Sequence, residues 1–298
     1  MLTDTVAIRG AASTGFRAPS VGQSNLQRAA TNFNAGQLEE LLVVSSTSLY
    51  AQRFGGEQLQ PEEAKNFSFG ITAEIGDLEL TVDYFDIEID DRIAQVTRQL
   101  SQDDRDFLVA NGQADAATVS QVSFFVNDFN TSTSGVDVVA NYPIEWDSAT
   151  TKVTLAVNYT ETEVTNRGET VTDGRAREVE DSLPAVRSTL SFDHQFEPFS
   201  ALLRINYFDE AYESLFNDET LPVVTPSMVI VDAELSWDVT DYLNLAVGAS
   251  NLFDEYPDEW ETAGFTGRDG GFLGAIYPLN HPAGLGGGRY YVRATANF

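Results

Sequence analysis

Residues able to do chemistry are few in this sequence, and they are scattered. It carries two histidines, His194 and His281, and no cysteine. Thiol nucleophiles, disulfides, cysteine-based zinc sites and iron–sulfur clusters therefore fall away together, and a histidine-rich metal centre has little to draw on. No Gly-x-Ser-x-Gly elbow, phosphate loop or His-Glu-x-x-His motif occurs. Carboxylate pairs such as Glu255 and Glu259 do occur. With 46 Asp+Glu against 17 Lys+Arg, a net charge of −29, such pairs arise by chance, so neither catalysis nor a cofactor is expected. Two acidic runs, Asp103–Asp104–Asp106 and Asp254–Glu255–Asp258–Glu259–Glu261, have the oxygen chemistry for Ca²⁺, but solvated surface charge is the simpler reading. Five rings, Tyr256, Trp260, Phe265, Phe272 and Tyr277, lie among glycines between 253 and 288. They can stack on a flat ligand or pack their own segment down, and packing is the stronger reading. Arg9, Arg187, Arg204 and Arg293 fall on the polar parity of alternating segments. There they can meet an anionic ligand or pair with carboxylates, the latter being preferred. A pI near 4.1 argues against nucleic acid as a partner.

The elements that must position these residues read as strands. Apolar and polar residues alternate with period two over segments of about ten residues. Phe67, Phe69, Ile71, Ala73 and Ile75 oppose Asn66, Ser68, Gly70, Thr72 and Glu74. The same pattern returns at 152–160, 186–196, 229–239 and 243–250. It returns once more at the end, where Tyr290, Val292, Ala294, Ala296 and Phe298 oppose Tyr291, Arg293, Thr295 and Asn297. In 78–90 the apolar parity switches between Tyr84 and Phe85, so the strand either bulges there or leaves its apolar surroundings. One short helix is expected at Gln102–Ala110, opened by Asp103 and Asp104. About ten strands result. Short turns fall near 75–77, 145–151, 196–199 and 240–242; long polar connections fall at 18–62, 91–120, 162–183, 209–226 and 253–288.

Short turns at one end and long loops at the other is the arrangement of a membrane-spanning β-barrel. No apolar run is long enough for a transmembrane helix. The segments have the length a tilted strand needs to cross hydrocarbon. Aromatics collect towards strand ends (Phe67, Tyr142, Trp146, Tyr159, Phe196, Tyr207, Trp237, Tyr242, Tyr290, Phe298) as interfacial girdles do. His194 is expected at such an interface. The rival is a soluble extracellular glycan-binding or glycan-cleaving β-sandwich, whose apolar faces would cover each other.

Several motifs then resemble, in order, the C-terminal part of the barrel of TonB-dependent outer-membrane receptors. They are Gly15-Phe16-Arg17-Ala18-Pro19-Ser20, Pro61-Glu62 with Asn66, Tyr84-Phe85-Asp86-Ile87 with Asp91-Arg92-Ile93, Asn127 with Gly135-Val136-Asp137, and Leu183-Pro184. Asn251-Leu252-Phe253-Asp254 and the closing Gly287-to-Phe298 stretch complete the set. Asp137 stands where the family usually has Glu. The resemblance implies an all-β, antiparallel up-and-down transmembrane barrel portion, similar to the last ten strands of a 22-stranded barrel. Periplasmic turns would be short and extracellular loops long, with residues 1–298 forming one piece. Signal peptide, plug and the earlier strands are read as missing, so TonB would act only through that N-terminal region. The implied function is active uptake of a scarce nutrient such as a siderophore, cobalamin or an oligosaccharide across a Gram-negative outer membrane; a passive porin-like channel is the second alternative. Implied partners are outer-membrane lipid and lipopolysaccharide, a small-molecule or oligosaccharide ligand, and the barrel-assembly machinery. That machinery would read Tyr290, Val292, Ala294, Ala296 and Phe298. Asn251-Leu252-Phe253-Asp254 reads as structural, its Asn and Asp bonding nearby backbone where strand becomes loop.

Overall fold

The structure is a computed structural model describing residues 5–34, 37–168, 171–214, 222–259, 261–262, 265–266, 277–278 and 281–297. Ten strands form one antiparallel meander: β1 (Val6–Arg17), β4 (Glu62–Ile75), β5 (Leu78–Gln99), β6 (Val119–Trp146), β7 (Ala149–Arg167), β8 (Val186–Phe196), β9 (Phe199–Phe208), β12 (Met228–Thr240), β13 (Leu243–Ser250) and β16 (Arg289–Ala296). A hairpin of β2 (Arg28–Asn34) and β3 (Gln37–Val43) joins the flank of β6 in parallel. Two small ribbons sit apart from the sheet, β10 (Ala211–Ser214) with β11 (Pro222–Thr225), and β14 (Glu261–Thr262) with β15 (Phe265–Thr266). Among the described residues β1 and β16 each pair on one side only, so the sheet does not close.

All four short connections are two-residue hairpins at the same end. They are Gly76-Asp77 between the paired Ile75 and Leu78, Asp147-Ser148, Glu197-Pro198 and Asp241-Tyr242. Gly76 supplies the positive φ its tight turn requires (+63°). The opposite end carries the long connections and the helices α1 (Val21–Asn25), α2 (Leu49–Gln52), α3 (Gln102–Ala110) and α4 (Asp173–Asp181). α3 falls where the sequence places it. Ser101 accepts from the Asp104 amide, and Asp104 bonds back to the Ser101 amide, a reciprocal cap.

One face of the sheet is apolar and open. Phe67, Ile75, Val229, Leu235, Val247 and Val292 on it are exposed. Among the described residues no second sheet lies against it, and a sandwich requires one, so the sandwich reading is excluded. Burial of hydrophobic side chains is found instead among the loops. Val44, Tyr50, Leu108, Val119, Val122 and Phe124 cluster between α2, α3 and the tops of β5 and β6. From Phe67 to Ile75 the strand climbs roughly 26 Å, about the reach a tilted spanning strand needs. At the short-turn end an aromatic belt runs sideways: His194–Phe196, Phe196–Phe199 and Phe199–Trp237 have ring centroids 5.0, 5.6 and 6.0 Å apart. Trp146 donates to Thr151 Oγ1 and Thr151 pairs with His194 Nδ1, each at 2.8 Å, joining the histidine to the belt.

One expectation needs correction, and one open alternative is decided. The 91–120 connection is strand at both ends, because β5 runs to Gln99 and β6 starts at Val119, carried past the apolar belt by their own long hairpin. The parity switch at Tyr84–Phe85 is not a bulge. Register from Glu63↔Asp90 to Ile75↔Leu78 is unbroken. The strand leaves its apolar surroundings, so Asp86, Glu88 and Asp90 take the outer parity, while Phe85, Ile87 and Ile89 turn to the polar face. A bulge does occur further on, between Ile89 and Ile93. There Asp91 takes φ +56°, its amide bonded to Asn130 and its carbonyl to Asn127.

Phe85 lies over Gly135 on the next strand. A Cβ there would overlap the Phe85 ring and the Tyr159 carbonyl oxygen. Gly135→Ala is expected to destabilise the sheet by about 1–3 kcal/mol through overpacking, read as a lower urea midpoint of the folded, heat-modifiable gel band.

Candidate functional site

The polar face is a wall of hydrogen-bonded rows. Register aligns Arg9, Gly70, Asp83, Asp137, Asn158 and Arg187 across β1, β4, β5, β6, β7 and β8. Arg9 reaches over Gly70, which has no side chain to obstruct it, to form a two-pronged ion pair with Asp83. Asn158 donates to Asp137 at 2.8 Å. On the other flank Tyr291 (2.5 Å) and Arg293 (2.6 Å) both donate to Glu234, with Gly248 between Tyr291 and Glu234 in the row. Of the four arginines proposed from sequence, Arg9 and Arg293 are thus paired within the wall. Arg187 and Arg204 share the same face, are exposed, and make no ion pair or side-chain hydrogen bond among the described residues. Asp232 stands opposite Arg204 in register, but its two oxygens accept from Asn206 (3.1 Å) and the Asn251 amide (2.9 Å). Arg187 lines a concavity of about 520 Å³ with Asn158, Thr189 and Phe208.

At the long-loop end three of the motif segments meet. Arg17 holds Glu62 by two bonds of 2.5 Å, and Glu62 also accepts from the Ile93 amide at 2.9 Å. The Asp91 bulge brings Arg92 beside them, its Nη1 on Thr131 at 3.2 Å and its guanidinium over the Phe129 ring. Asn127 ties Gln60 to the Asp91 carbonyl. The Arg17 bond is the main reason the Glu62 carboxyl titrates below its ordinary value, with the Ile93 amide adding to it and burial opposing it. Sequence reasoning quoted these segments as motifs without foreseeing that Arg17, Glu62 and Arg92 converge. The signal available was one arginine or glutamate at the top of each of three neighbouring strands.

Of the aromatic loop, Tyr256 and Tyr277 stack on one another with centroids 5.3 Å apart, which favours packing over an open platform. Trp260 and Phe272 lie outside the described residues, as does the side chain of Phe265. The Asn251 box is structural. Asn251 holds φ +53°, and its side-chain amide clasps the Glu255 backbone at both N–H (2.9 Å) and C=O (2.7 Å). Tyr290, Val292, Ala294 and Ala296 line the open apolar face of β16; Phe298 lies outside the described residues.

Comparison with known proteins decides the family. A family model described as the β-barrel of TonB-dependent receptor-like proteins matches residues 1–252. The chain belongs to the TonB-dependent receptors. A search of curated proteins finds no match. Among solved structures this receptor chain is similar in fold to a ferric enterobactin receptor from Pseudomonas aeruginosa. The TM-score is 0.65 and the identity 16%, with 100% of this chain and 39% of that one covered. It is similar also to a siderophore receptor from Acinetobacter baumannii (0.64, 14%, 100% and 40%) and to a ferric yersiniabactin uptake receptor from Yersinia pestis (0.51, 15%, 100% and 36%). The chain thus spans about two-fifths of the length of these receptors. In barrel terms its polar face is the lumen wall and its long-loop end the extracellular mouth.

Two outcomes follow from the geometry. Because the folded-state pKa of Glu62 is depressed, its contribution is full above the ordinary value of 4.5 and fades as pH falls below that toward the folded value. Glu62→Gln should remove this acid sensitivity, so mutant and wild type should converge in urea midpoint at low pH and diverge near neutrality. Asn251→Ala loses two hydrogen bonds and strains a left-handed backbone, a cost of about 2–4 kcal/mol. It should speed proteolysis between 252 and 288, and Asn251→Gly should recover only the strain.

Proposed function

We propose that this chain forms the C-terminal wall and extracellular mouth of an outer-membrane active-transport receptor. The receptor takes up a scarce nutrient, a siderophore, cobalamin or an oligosaccharide, with energy delivered through TonB. One observation carries the reading: a ten-strand meander whose apolar face is open, with two-residue turns at one end and every long loop at the other. The family match supports it. The solved structures similar in fold include siderophore receptors and a copper transporter, which favours a metal-bearing cargo among these classes.

The apolar face meets outer-membrane lipid, and above it the outward parity of β4, β5 and β7 carries Lys65, Glu88, Asp90, Glu161 and Glu163 towards the lipopolysaccharide layer. The apolar stripe of β16 is presented to the barrel-assembly machinery. Arg204 is left to meet a carboxylate from a plug.

Uptake of labelled ferric siderophores, cobalamin and oligosaccharides by cells expressing the receptor tests the reading. Accumulation of one of these is expected, and it should stop in a strain without TonB. Accumulation that persists there, together with steady conductance in a planar bilayer, would establish a passive channel instead.

A further inference from the structure

The apolar side of the sheet holds one imidazole. On the outward parity of β6 to β9, from Trp146, Phe196 and Phe199 at the short turns up to Tyr159 and Tyr207, side chains are aliphatic or aromatic except at Thr151, Ser188 and His194. Thr151 and His194 face each other across β7 and β8, in a row with Ile144, Ala201 and Leu235. That row lies two residues inward of the aromatic one, roughly 7 Å along the strand. A polar ring at such a depth is costly unless it has a partner, and it marks a site by default.

Hydrogen bonding fixes which partner is missing. Trp146 Nε1–H donates to Thr151 Oγ1 at 2.8 Å, and Thr151 Oγ1 meets His194 Nδ1 at 2.8 Å. An indole can only donate, so the threonine oxygen spends one lone pair on it. If the Thr151 hydroxyl then donates to Nδ1, the proton of the neutral ring sits on Nε2, and that N–H is the one group left over. The reverse arrangement, with Nδ1–H donating to Thr151, strands both the hydroxyl hydrogen and the Nε2 lone pair. One unpaired group costs less than two, so His194 presents an N–H at Nε2. No described residue accepts it. The ring lies against Phe196, 5.0 Å between centroids, and its neighbour on β9 is Ala201, whose methyl group cannot accept and is the smallest side chain of the row.

A bilayer offers one kind of acceptor at this level. Aromatic belts sit at the headgroup region, so phosphates stand at or outside the row of Trp146 and Phe196. Inward of it, where water is scarce, the oxygens of a phospholipid are the ester carbonyls of its acyl chains. We propose that His194 is a lipid site: its Nε2–H binds the ester carbonyl of a phospholipid of the periplasmic leaflet, and the acyl chain lies over Ala201. Thr151 and Trp146 are positioning residues that keep the proton on Nε2. The bond fixes the height of β7 and β8 in that leaflet. The inference rests on the membrane-spanning reading above and adds to it the lipid group that one side chain selects.

The test titrates the receptor purified from outer membranes with two phosphatidylglycerols of equal chain length, followed by native mass spectrometry. One lipid is ester-linked; the other is ether-linked and has no carbonyl. The wild type should hold the ester lipid roughly 10-fold more tightly, the worth of an N–H that finds its acceptor. His194→Phe keeps a ring against Phe196 but has no N–H, and should hold the two lipids alike. Thr151→Val frees Nδ1 to carry the proton and should lose most of the preference, whereas Thr151→Ser should retain it. An aromatic anchor without the hydrogen bond would show no ester preference in any of them. The proposal is overturned if the wild type holds both lipids equally, if His194→Phe keeps the preference, or if Thr151→Val and Thr151→Ser behave alike. Should the phenylalanine variant not fold, the two Thr151 variants carry the same decision. Equal retention of both lipids sinks the site alone; retention of neither would overturn the membrane-spanning reading and the site with it.

Discussion

A strand in hydrocarbon has nowhere but a neighbouring strand to place its backbone N–H and C=O groups. The rest of this structure follows from that constraint. It forces the ten strands into one continuous antiparallel ladder, and side-chain alternation along each strand then puts lipid-compatible residues on one side and polar residues on the other. Apolar burial is consequently inverted relative to a soluble protein. Val229, Leu235 and Val292 are exposed on the sheet, while Leu108, Val122 and Phe124 are buried among the loops. The loops need that small core because they stand in water, where an unsupported hairpin is marginal.

The same alternation is reused where the strands leave the apolar belt. Past Tyr84 the parity of β5 is unchanged in backbone terms but reversed in chemistry. Acids face outward, and Phe85, Ile87 and Ile89 face the mouth. The bulge at Asp91 then re-aims the next residue, so that Arg92 lands beside Glu62 and Thr131. Bulges commonly re-aim a side chain at the rim of a barrel. Here the polar contacts of Asn127 and Asn130 hold the left-handed residue in place.

The spanning part of the fold was legible because each strand had one face under selection for lipid and one for water. Both the alternation and the two-residue turns express that directly, and α3 was legible because Asp103 and Asp104 in its first turn announce its start, whereas its cap, Ser101, was seen only in the structure. What could not be read lies where neither solvent dictates the pattern. β5 continues to Gln99 and β6 begins at Val119 with their sides packed on α2 and on β3, so the period-two signal is overwritten by local packing and polar residues read as loop. The polar parity of Arg9, Arg187, Arg204 and Arg293 was legible. Which of them are paired was not, because pairing depends on register across two strands. His281 was legible only as a lone histidine, since its buried, unpartnered Nε2 is a property of the fold.

The pairing follows a rule visible in the rows. Arg9 reaches Asp83 across Gly70, and Tyr291 reaches Glu234 across Gly248. A Cβ at either glycine would overlap the crossing side chain or its acceptor. Glycine normally weakens a strand; at these two positions it lets one side chain tie together strands two places apart, and both ties lie toward the flanks of the sheet, where β1 and β16 lack a second neighbour. In the middle, across β7, β8 and β9, no glycine lies next to Arg187 or Arg204 in their rows; Asp232 stands opposite Arg204, but its oxygens accept from Asn206 and the Asn251 amide instead. In a chain of net charge −29, the two guanidinium groups on adjacent strands differ in their surroundings: Arg204 has Asp232 opposite it in register, whereas the carboxylate in the row of Arg187, Asp137, stands two strands away. Field at close range is governed by the nearest charges rather than by the sum. The nearest opposing charge at Arg204 is therefore Asp232, while at Arg187 it stands farther along the row.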